Sequence, residues 1–360
     1  MPRIVLFGAT GYTGDLVARA LAARGAQPVL AARSESRVRA LARELGAEHA
    51  VADVAQPETV RALVERGDVL VSTVGPFVRF GQAAVQAAVA TGAHYLDSTG
   101  EPPFIREVFE RHGPGAQAAG CGLVTAFGAD WVPGNLAGAL ALREAPEATA
   151  LHLGYYAQGM KPSGGTAASL TGVILEPGYT FRDGRLVTER GARRLRRFEV
   201  GGRSRPAISV AASEHFGLPR LSPALRDVDV YLGWFGPASR AMQLSGGLGG
   251  AAMRVAPVRR AFEAVTQRVV KGSTGGPDAA QRARVRTVVV AQARSPAGDV
   301  LATVRLEGVD PYDFTGRVLA WGAERALAGG LLGTGALGPV DGFGVDALEA
   351  GVRESGISRV

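Results

Sequence analysis

The sequence predicts an α/β protein in two parts. An N-terminal doubly wound parallel sheet comes first, and an α+β second domain with a mixed or antiparallel sheet follows. Three observations predict this. Arg3 to Phe7 (RIVLF) is a short, branched, apolar run ending on glycine, as a buried parallel strand does. Gly8-Ala-Thr-Gly11-Tyr-Thr-Gly14 comes next, and then a helical pattern with Leu16, Val17, Ala20 and Leu21 on one face. Strand-like and helical runs then alternate as far as Ala126, and the pattern changes after Pro133.

The glycine passage is a dinucleotide-binding βα turn of the Rossmann type, with GxxGxxG spacing. Gly8 permits the tight turn. Gly11 lets a pyrophosphate reach the amides at the helix N-terminus, where the dipole favours an anion. Gly14 lets helix and strand pack closely. Thr10, Tyr12 and Thr13, between the glycines, complete the cradle. The alternative is a structural βα turn in another doubly wound fold.

Gln27 to Ala32 is the second strand and ends at Arg33. A site for NAD usually places an acid here, on the ribose 2′-hydroxyl, whereas an arginine suits a 2′-phosphate. Arg33 therefore argues for NADP. Ser34 adds a hydroxyl or caps the next helix, and Arg37 stacks on adenine, reaches the phosphate or is simply exposed. Arg37 to Leu45 is helical, and His49 to Asp53 is a third strand. Asp53 either accepts from the adenine amino group or caps the helix that begins near Pro57. Asp68 to Thr73 is a fourth strand, running into Val74-Gly75-Pro76-Phe77, a turn expected beside the nicotinamide ribose. Gly81 to Ala90 and Pro103 to Ala119 are helices, and His94 to Asp97 and Gly122 to Ala126 are the fifth and sixth strands.

Beyond Pro133, Leu136 to Leu142 is helical, and strand-like runs follow at Leu151 to Ala157, Tyr179 to Val187, Ala207 to Ala211 and Val228 to Leu232. Thr287 to Ala293 and Val300 to Glu307 bracket Ser295-Pro-Ala-Gly298 as a hairpin. Thr166 to Leu175 and Ala256 to Val270 read as helices, and Phe314 to Ala328 as a helix returning to the first domain. The expected divisions are 1–135 for the dinucleotide, 136–311 for substrate and dimerisation, and 312–360 as the returning segment. A homodimer would form through the second of these.

At 360 residues the chain exceeds one small core, and its 46% apolar and 20% charged content is that of a globular protein. The single cysteine, Cys121, excludes a disulfide framework or cysteine-based metal site and is expected as a buried thiol. No His, Asp or Glu cluster has metal-ligand spacing, so no metal is expected. Met1 opens directly into the first strand, and Ala326 to Val340 is too short and glycine-rich to span a bilayer, so a cytoplasmic protein without a membrane span is expected. The net charge of +7 is nearly all arginine, Lys161 and Lys271 being the only lysines. Arg190, Arg193, Arg194, Arg196 and Arg197, with Arg203 and Arg205, read as a solvated hairpin or loop. No nucleic-acid-binding pattern accompanies them.

Four passages in one order carry a resemblance: Gly8 to Gly14, Gly75-Pro-Phe-Val-Arg-Phe-Gly81, His94-Tyr-Leu-Asp-Ser-Thr-Gly-Glu101 and Gly128-Ala-Asp-Trp-Val-Pro-Gly134. Together they resemble the NADP-binding domain of the saccharopine dehydrogenase-like oxidoreductases, in particular the bacterial branch grouped with trans-acting enoyl reductases. Ser163 to Ser169, Ser213 to Pro219, Val309 to Thr315 and Gly335 to Pro339 fit as well. The resemblance implies the fold and NADP(H), and an enzyme acting on a C=C, C=N or C=O bond of a small or acyl-linked substrate. The chain departs from the pattern at Ala87-Ala88, where relatives often carry Ala-Cys, and at Asp130-Trp131, where they usually carry Asp-Ser.

A dinucleotide domain beside a second domain implies hydride transfer in a cleft. Neither lysine follows a tyrosine by four residues, so the Tyr-xxx-Lys chemistry of short-chain dehydrogenases is absent. Asp97, Glu101 and Asp130 stand near strand ends as acids, and Glu101, Asp130 and Trp131 are expected to line the substrate site. In the second domain, Lys161, Ser163 and Tyr156 are the candidate catalytic residues, and Gly164, Gly165 and Thr166 would offer amides and a hydroxyl to an oxyanion or only cap a helix. His215 reads as a structural histidine. Two readings without turnover stand beside the enzyme: an NADP-holding redox sensor, and an accessory protein docking on an acyl carrier protein through Arg190 to Arg205.

Overall fold

The computed structural model describes residues 1–164, 177–236, 238–244 and 275–360. Its contacts divide the chain into two units, Met1–Val132 with Pro311–Gly356 and Pro133–Asp310 with Ile357–Val360. The expected helices Thr166 to Leu175 and Ala256 to Val270, with Gly165, Thr166 and Lys271, lie outside the described residues.

Strands are numbered through the whole chain. Among the described residues the first unit holds a seven-stranded parallel sheet: β1 (Ile4–Phe7), β2 (Val29–Ala32), β3 (Glu48–Val51), β4 (Val69–Ser72), β5 (His94–Asp97), β6 (Gly122–Val124) and, late in the chain, β15 (Gly335–Ala336). The order β15-β6-β5-β4-β1-β2-β3 reverses between β1 and β4, the point where doubly wound sheets bind ligands at the carboxyl ends of their strands. β1, β2 and β4 are buried along their whole length, which is why they read as unbroken apolar runs.

Helix α1 (Tyr12–Ala23) follows β1, and α2 (Glu35–Leu45) follows β2. The predicted helix over Pro103 to Ala119 is interrupted by a π turn at Val108–His112. Pro114 explains it, since proline has no N–H for the bond to Glu110 and its ring crowds that carbonyl. The helix Pro311–Leu327 packs on the same sheet. Gly316 meets Leu16 of α1 and Gly322 meets Phe127, where a Cβ would stand 3.1 and 2.5 Å from the neighbouring atoms. Trp321, Phe127 and Phe343 stack beside it, with centroids 5.0–6.3 Å apart.

The second unit is a mixed sheet of β7 (Ala150–Gln158), β8 (Pro177–Arg182), β9 (Arg185–Arg190), β10 (Leu195–Val200), β11 (Arg203–Val210), β12 (Asp227–Leu232), β13 (Arg286–Arg294), β14 (Val300–Gly308) and β16 (Ile357–Arg359). β7 is its pivot, parallel to β12 on one side and antiparallel to β13 on the other. One face buries Leu151, Leu153, Val289 and Ala291. The helix Val132–Glu144 packs close through Gly138, where a Cβ would come within 2.6 Å of Leu218. On the other face the β10–β11 hairpin brings Phe198 and Val200 onto Tyr156, Val288 and Val290. Phe198 fits because Gly154 beneath it has no side chain, a Cβ there standing 2.9 Å from the ring.

Much of the arginine-rich stretch is a hairpin, as the sequence allows, with Arg196 and Arg197 on β10 and Arg203 and Arg205 on β11, but it is not wholly solvated. Arg194 is half-buried and pairs with Glu189 at 2.5 Å and Asp229 at 2.8 Å. Cys121 is buried immediately before β6. Among the described residues, no helix is long and apolar enough to cross a membrane.

The tightest approach in the first unit lies between Gly14 and the Gly8 carbonyl, where a Cβ on residue 14 would stand 2.1 Å from the oxygen. Gly14→Ala is expected to cost about 1–3 kcal/mol of stability, the usual range for forced overpacking, and to weaken dinucleotide binding with it. A urea titration and an NADPH fluorescence titration of the same variant check both.

Candidate functional site

Four loops leave the carboxyl ends of β1, β4, β5 and β6. The first is built from Gly8 to Gly14. Gly8 has φ +93°, and its amide and that of Ala9 donate to the Ala31 carbonyl at 2.8 and 3.1 Å, so the end of β1 is tied to the end of β2. A Cβ at Gly8 would press within 2.7 Å of Thr73 Oγ1 at the end of β4. Gly11 stands at the N-cap of α1 and supplies no side-chain acceptor, so the amides that open the helix face outward uncapped. Thr10, Gly11, Tyr12 and Thr13 are half-buried, and Tyr12 packs edge-on against Tyr312 with centroids 5.2 Å apart.

At the end of β2, Arg33 is exposed and pairs with no carboxylate among the described residues, and Ser34 is half-buried at the N-cap of α2. Arg37 donates from Nη2 to the Thr10 carbonyl at 2.8 Å, so its guanidinium lies on the glycine loop itself. Asp53 is engaged in its own turn. Its Oδ1 accepts from the Ala55 amide at 3.0 Å, and its amide donates to Thr59 Oγ1 at 3.0 Å. The residues fit a dinucleotide phosphate: a glycine cradle that a Cβ would fill, uncapped helix amides, and an unpaired arginine beside them.

The β4 loop, Val74-Gly75-Pro76-Phe77, is fixed from β5. The Glu101 carboxylate accepts the Phe77 amide on one oxygen and the Val78 amide on the other, both at 2.9 Å. Glu101 is 5% exposed and donates its own amide to Thr99 Oγ1 at 3.1 Å. The Thr99 amide donates to Asp97 Oδ1 at 2.9 Å, and Asp97 also accepts from the Ala126 amide at 2.8 Å and Thr125 Oγ1 at 2.7 Å. These bonds tie the ends of β4, β5 and β6 into one lattice. Burial pushes the Asp97 carboxyl up to about 6 against the pull of these donors. Glu101, expected to line the substrate site, serves here as a clamp on the β4 loop. That role depends on a contact across 24 residues, which no local pattern reveals.

The β6 loop is strained. Ala126 has φ +59° and Trp131 has φ +104°, a backbone conformation that bulky side chains rarely adopt. Thr315 holds the turn, accepting the Ala129 amide at 2.9 Å and donating to the Pro311 carbonyl at 2.7 Å. Trp131 is buried at 3% exposure. Asp130 between them is half-buried and beside the β5 loop, since a Cβ at Gly100 would stand 2.9 Å from its Oδ2. Its carboxyl makes no hydrogen bond among the described residues, and burial pushes it up to about 6.

The candidates of the second unit are placed differently. Tyr156 is 2% exposed in the apolar cluster with Phe198, and its hydroxyl donates to the Arg205 carbonyl at 3.0 Å. Burial raises its phenol above the ordinary value. Lys161 is exposed, Ser163 is buried, and the Gly164 amide donates to the Gly275 carbonyl at 3.2 Å. His215 is buried, its Nδ1 within 3.0 Å of the Ala212 carbonyl, and burial lowers it to about 4. Sequence reasoning missed the buried Tyr155–Glu214 pair. The Tyr155 hydroxyl donates to Glu214 at 2.5 Å and accepts the Gly134 amide at 2.8 Å. Its trace in the sequence is the motif Ser213-Glu-His.

The exposed, unpaired Arg33 predicts a preference for NADPH over NADH. A charge-assisted contact is worth about 1.5–3 kcal/mol, so Arg33→Ala should weaken NADPH on the order of 10–100-fold and leave NADH nearly unchanged in paired binding titrations.

Comparisons with known proteins agree with this geometry. Residues 4–124 match the family model of the saccharopine dehydrogenase NADP binding domain. The trans-acting enoyl reductase of Mycobacterium leprae is 41% identical over 140 residues, covering 37% of this chain and 34% of that protein. The Mycobacterium tuberculosis trans-acting enoyl reductase is 39% identical over the same length, with 37% and 34% covered. The chain therefore matches about a third of the length of these relatives. Apo saccharopine dehydrogenase (L-Glu forming) from Saccharomyces cerevisiae aligns over 100% of this chain and 99% of its own, with a TM-score of 0.61 at 14% identity, a likeness of fold. Residues 4–124 are thus similar to a saccharopine dehydrogenase NADP binding domain, and that match supports NADP as the cofactor.

Proposed function

We propose that the chain is an NADPH-dependent oxidoreductase that saturates a C=C, C=N or C=O bond of a small or acyl-linked substrate, with Asp130 as the proton donor. The observation that carries this reading is the Asp130 carboxyl. It is half-buried, it has no hydrogen-bond partner among the described residues, and burial pushes it up to about 6, close to a working pH. It stands at the carboxyl edge of the sheet whose loops make the dinucleotide cradle. NADPH, when bound, supplies the hydride. The protein must then deliver one proton to the other atom of the reduced bond, and Asp130 holds that proton on a carboxyl oxygen. The Glu101 clamp keeps the β4 loop in place.

The relatives' name, trans-acting enoyl reductase, supports a C=C bond and an acyl-linked substrate. An acyl carrier protein would present such a chain, and the exposed Arg190, Arg193, Arg197 and Arg203 offer it a basic surface.

Steady NADPH oxidation with an enoyl thioester, an imine or a ketone tests the reading. Tight NADPH binding with no oxidation in any of the three would favour the redox-sensing alternative. The carboxyl is protonated below its raised value, so turnover should fall as pH rises through about 6. Asp130→Asn should lower kcat on the order of 10²–10⁴-fold and flatten that limb of the profile. An unchanged profile would move the proton to Lys161 or Ser163.

A further inference from the structure

The sheet of the second unit carries a polar patch that the reading above does not use. At its centre is Asp229 of β12. Its Oδ1 accepts from Arg182 at 2.6 Å and Arg194 at 2.8 Å, and its Oδ2 lies 3.4 Å from His152 Nε2. Arg182 has a second carboxylate in Asp227 at 3.3 Å, and Arg194 one in Glu189 at 2.5 Å. These two guanidinium groups are neutralised. Burial pulls the Asp229 carboxyl up, and the arginines more than reverse it, so it stays ionised.

Two further arginines on the patch have no such partner. Arg196 of β10 and Arg294 of β13 are half-buried, and neither pairs with a carboxylate among the described residues. The Nε of Arg196 is buried with no acceptor among the described residues. Arg294 donates to Gln292 Oε1 at 3.3 Å and to the Gly298 carbonyl. The two charges oppose each other: burial and then the nearness of Arg294 push the Arg196 guanidinium down from its ordinary value. His152 lies with them. Burial and then Arg196 hold its imidazole at about 4, so it is neutral at pH 7, and its buried Nδ1 has no partner among the described residues.

A solvated surface arginine would keep its Nε in water. Arg196 lies over the Phe198 ring, 5.9 Å from its centroid, and Asp229 and Tyr231 offset part of its charge, but a half-buried guanidinium with a buried, unused Nε and no carboxylate of its own is costly unless something completes it. The planar fork of donors matches an oxyanion. We propose that Arg196, Arg294 and His152 form a binding site for a small oxyanion, a carboxylate or a phosphate, on the second unit. The two guanidinium groups supply charge and donors, and the neutral imidazole, its Nε2 turned to Asp229, lines the site without adding a charge.

The test uses the full chain with NADP at saturation, so that the dinucleotide phosphate site is filled. Thermal midpoints and isothermal titrations are followed with inorganic phosphate, acetate and chloride at one ionic strength. Phosphate or acetate should stabilise saturably and chloride should not, and the better of the two identifies the group the site takes. Arg196→Gln and Arg294→Gln should each weaken that binding on the order of 10–100-fold, while exposed Arg190→Gln leaves it unchanged. Should Arg196→Gln fail to fold, Arg294→Gln and Arg196→Lys, which keeps the charge and loses the fork, carry the test. Equal midpoints in all three salts, or undiminished binding in the folded variants, would overturn the proposal.

Discussion

The contact between Gly14 and the Gly8 carbonyl is the constraint on which the first unit depends. Only a residue without a Cβ lets α1 start so near the end of β1. That approach sets the uncapped amides of α1 over the turn, and the same turn receives Thr73 from β4 and bonds to Ala31 of β2. Three strand ends are thereby held about one loop. Arg37 closes it from α2 through the Thr10 carbonyl. A phosphate site made of backbone amides is only as well formed as the backbone, so this packing is a condition of cofactor binding.

The two units handle buried charge in contrasting ways. In the first, Asp97 and Glu101 are buried carboxyls answered largely by backbone amides, and the effect is to lock three loops together. In the second, Asp229 is answered by two arginines, and the same sheet face holds two more arginines without carboxylates. The first arrangement is satisfied within the chain. The second leaves an excess of positive charge, which is the physical basis for an anion there. Asp130 belongs to neither pattern. It is held in a strained turn beside Gly100, its carboxyl making no hydrogen bond among the described residues, and strain of this kind gathers where a side chain must be aimed.

Much of the first unit was legible in the sequence because buried parallel strands are nearly pure apolar runs. His94–Asp97 is observed over the expected residues, and Val29–Ala32 and Val69–Ser72 lie within the expected spans. The glycine spacing and Arg33 announced the cofactor because they act locally. The half-buried face of β10 was missed because Leu195-Arg-Arg-Phe-Glu-Val reads as a solvated hairpin or loop, yet Arg196 and Phe198 share its inward face. Tyr156 was a catalytic candidate by residue type alone, and the fold buries it under Phe198. The clamp by Glu101 and the positive φ of Trp131 are set by long-range geometry, and neither leaves a local signature.

The central claim is that this chain moves a hydride from NADPH to a substrate rather than merely holding the dinucleotide. The most direct measurement uses NADPH deuterated at C4, on each face in turn, with enoyl-thioester, imine and ketone substrates, and follows the products by mass spectrometry. The account predicts one carbon-bound deuterium in the reduced product from one of the two labelled cofactors. Cofactor that stays reduced and fully labelled with all three substrate classes, although bound, would contradict it.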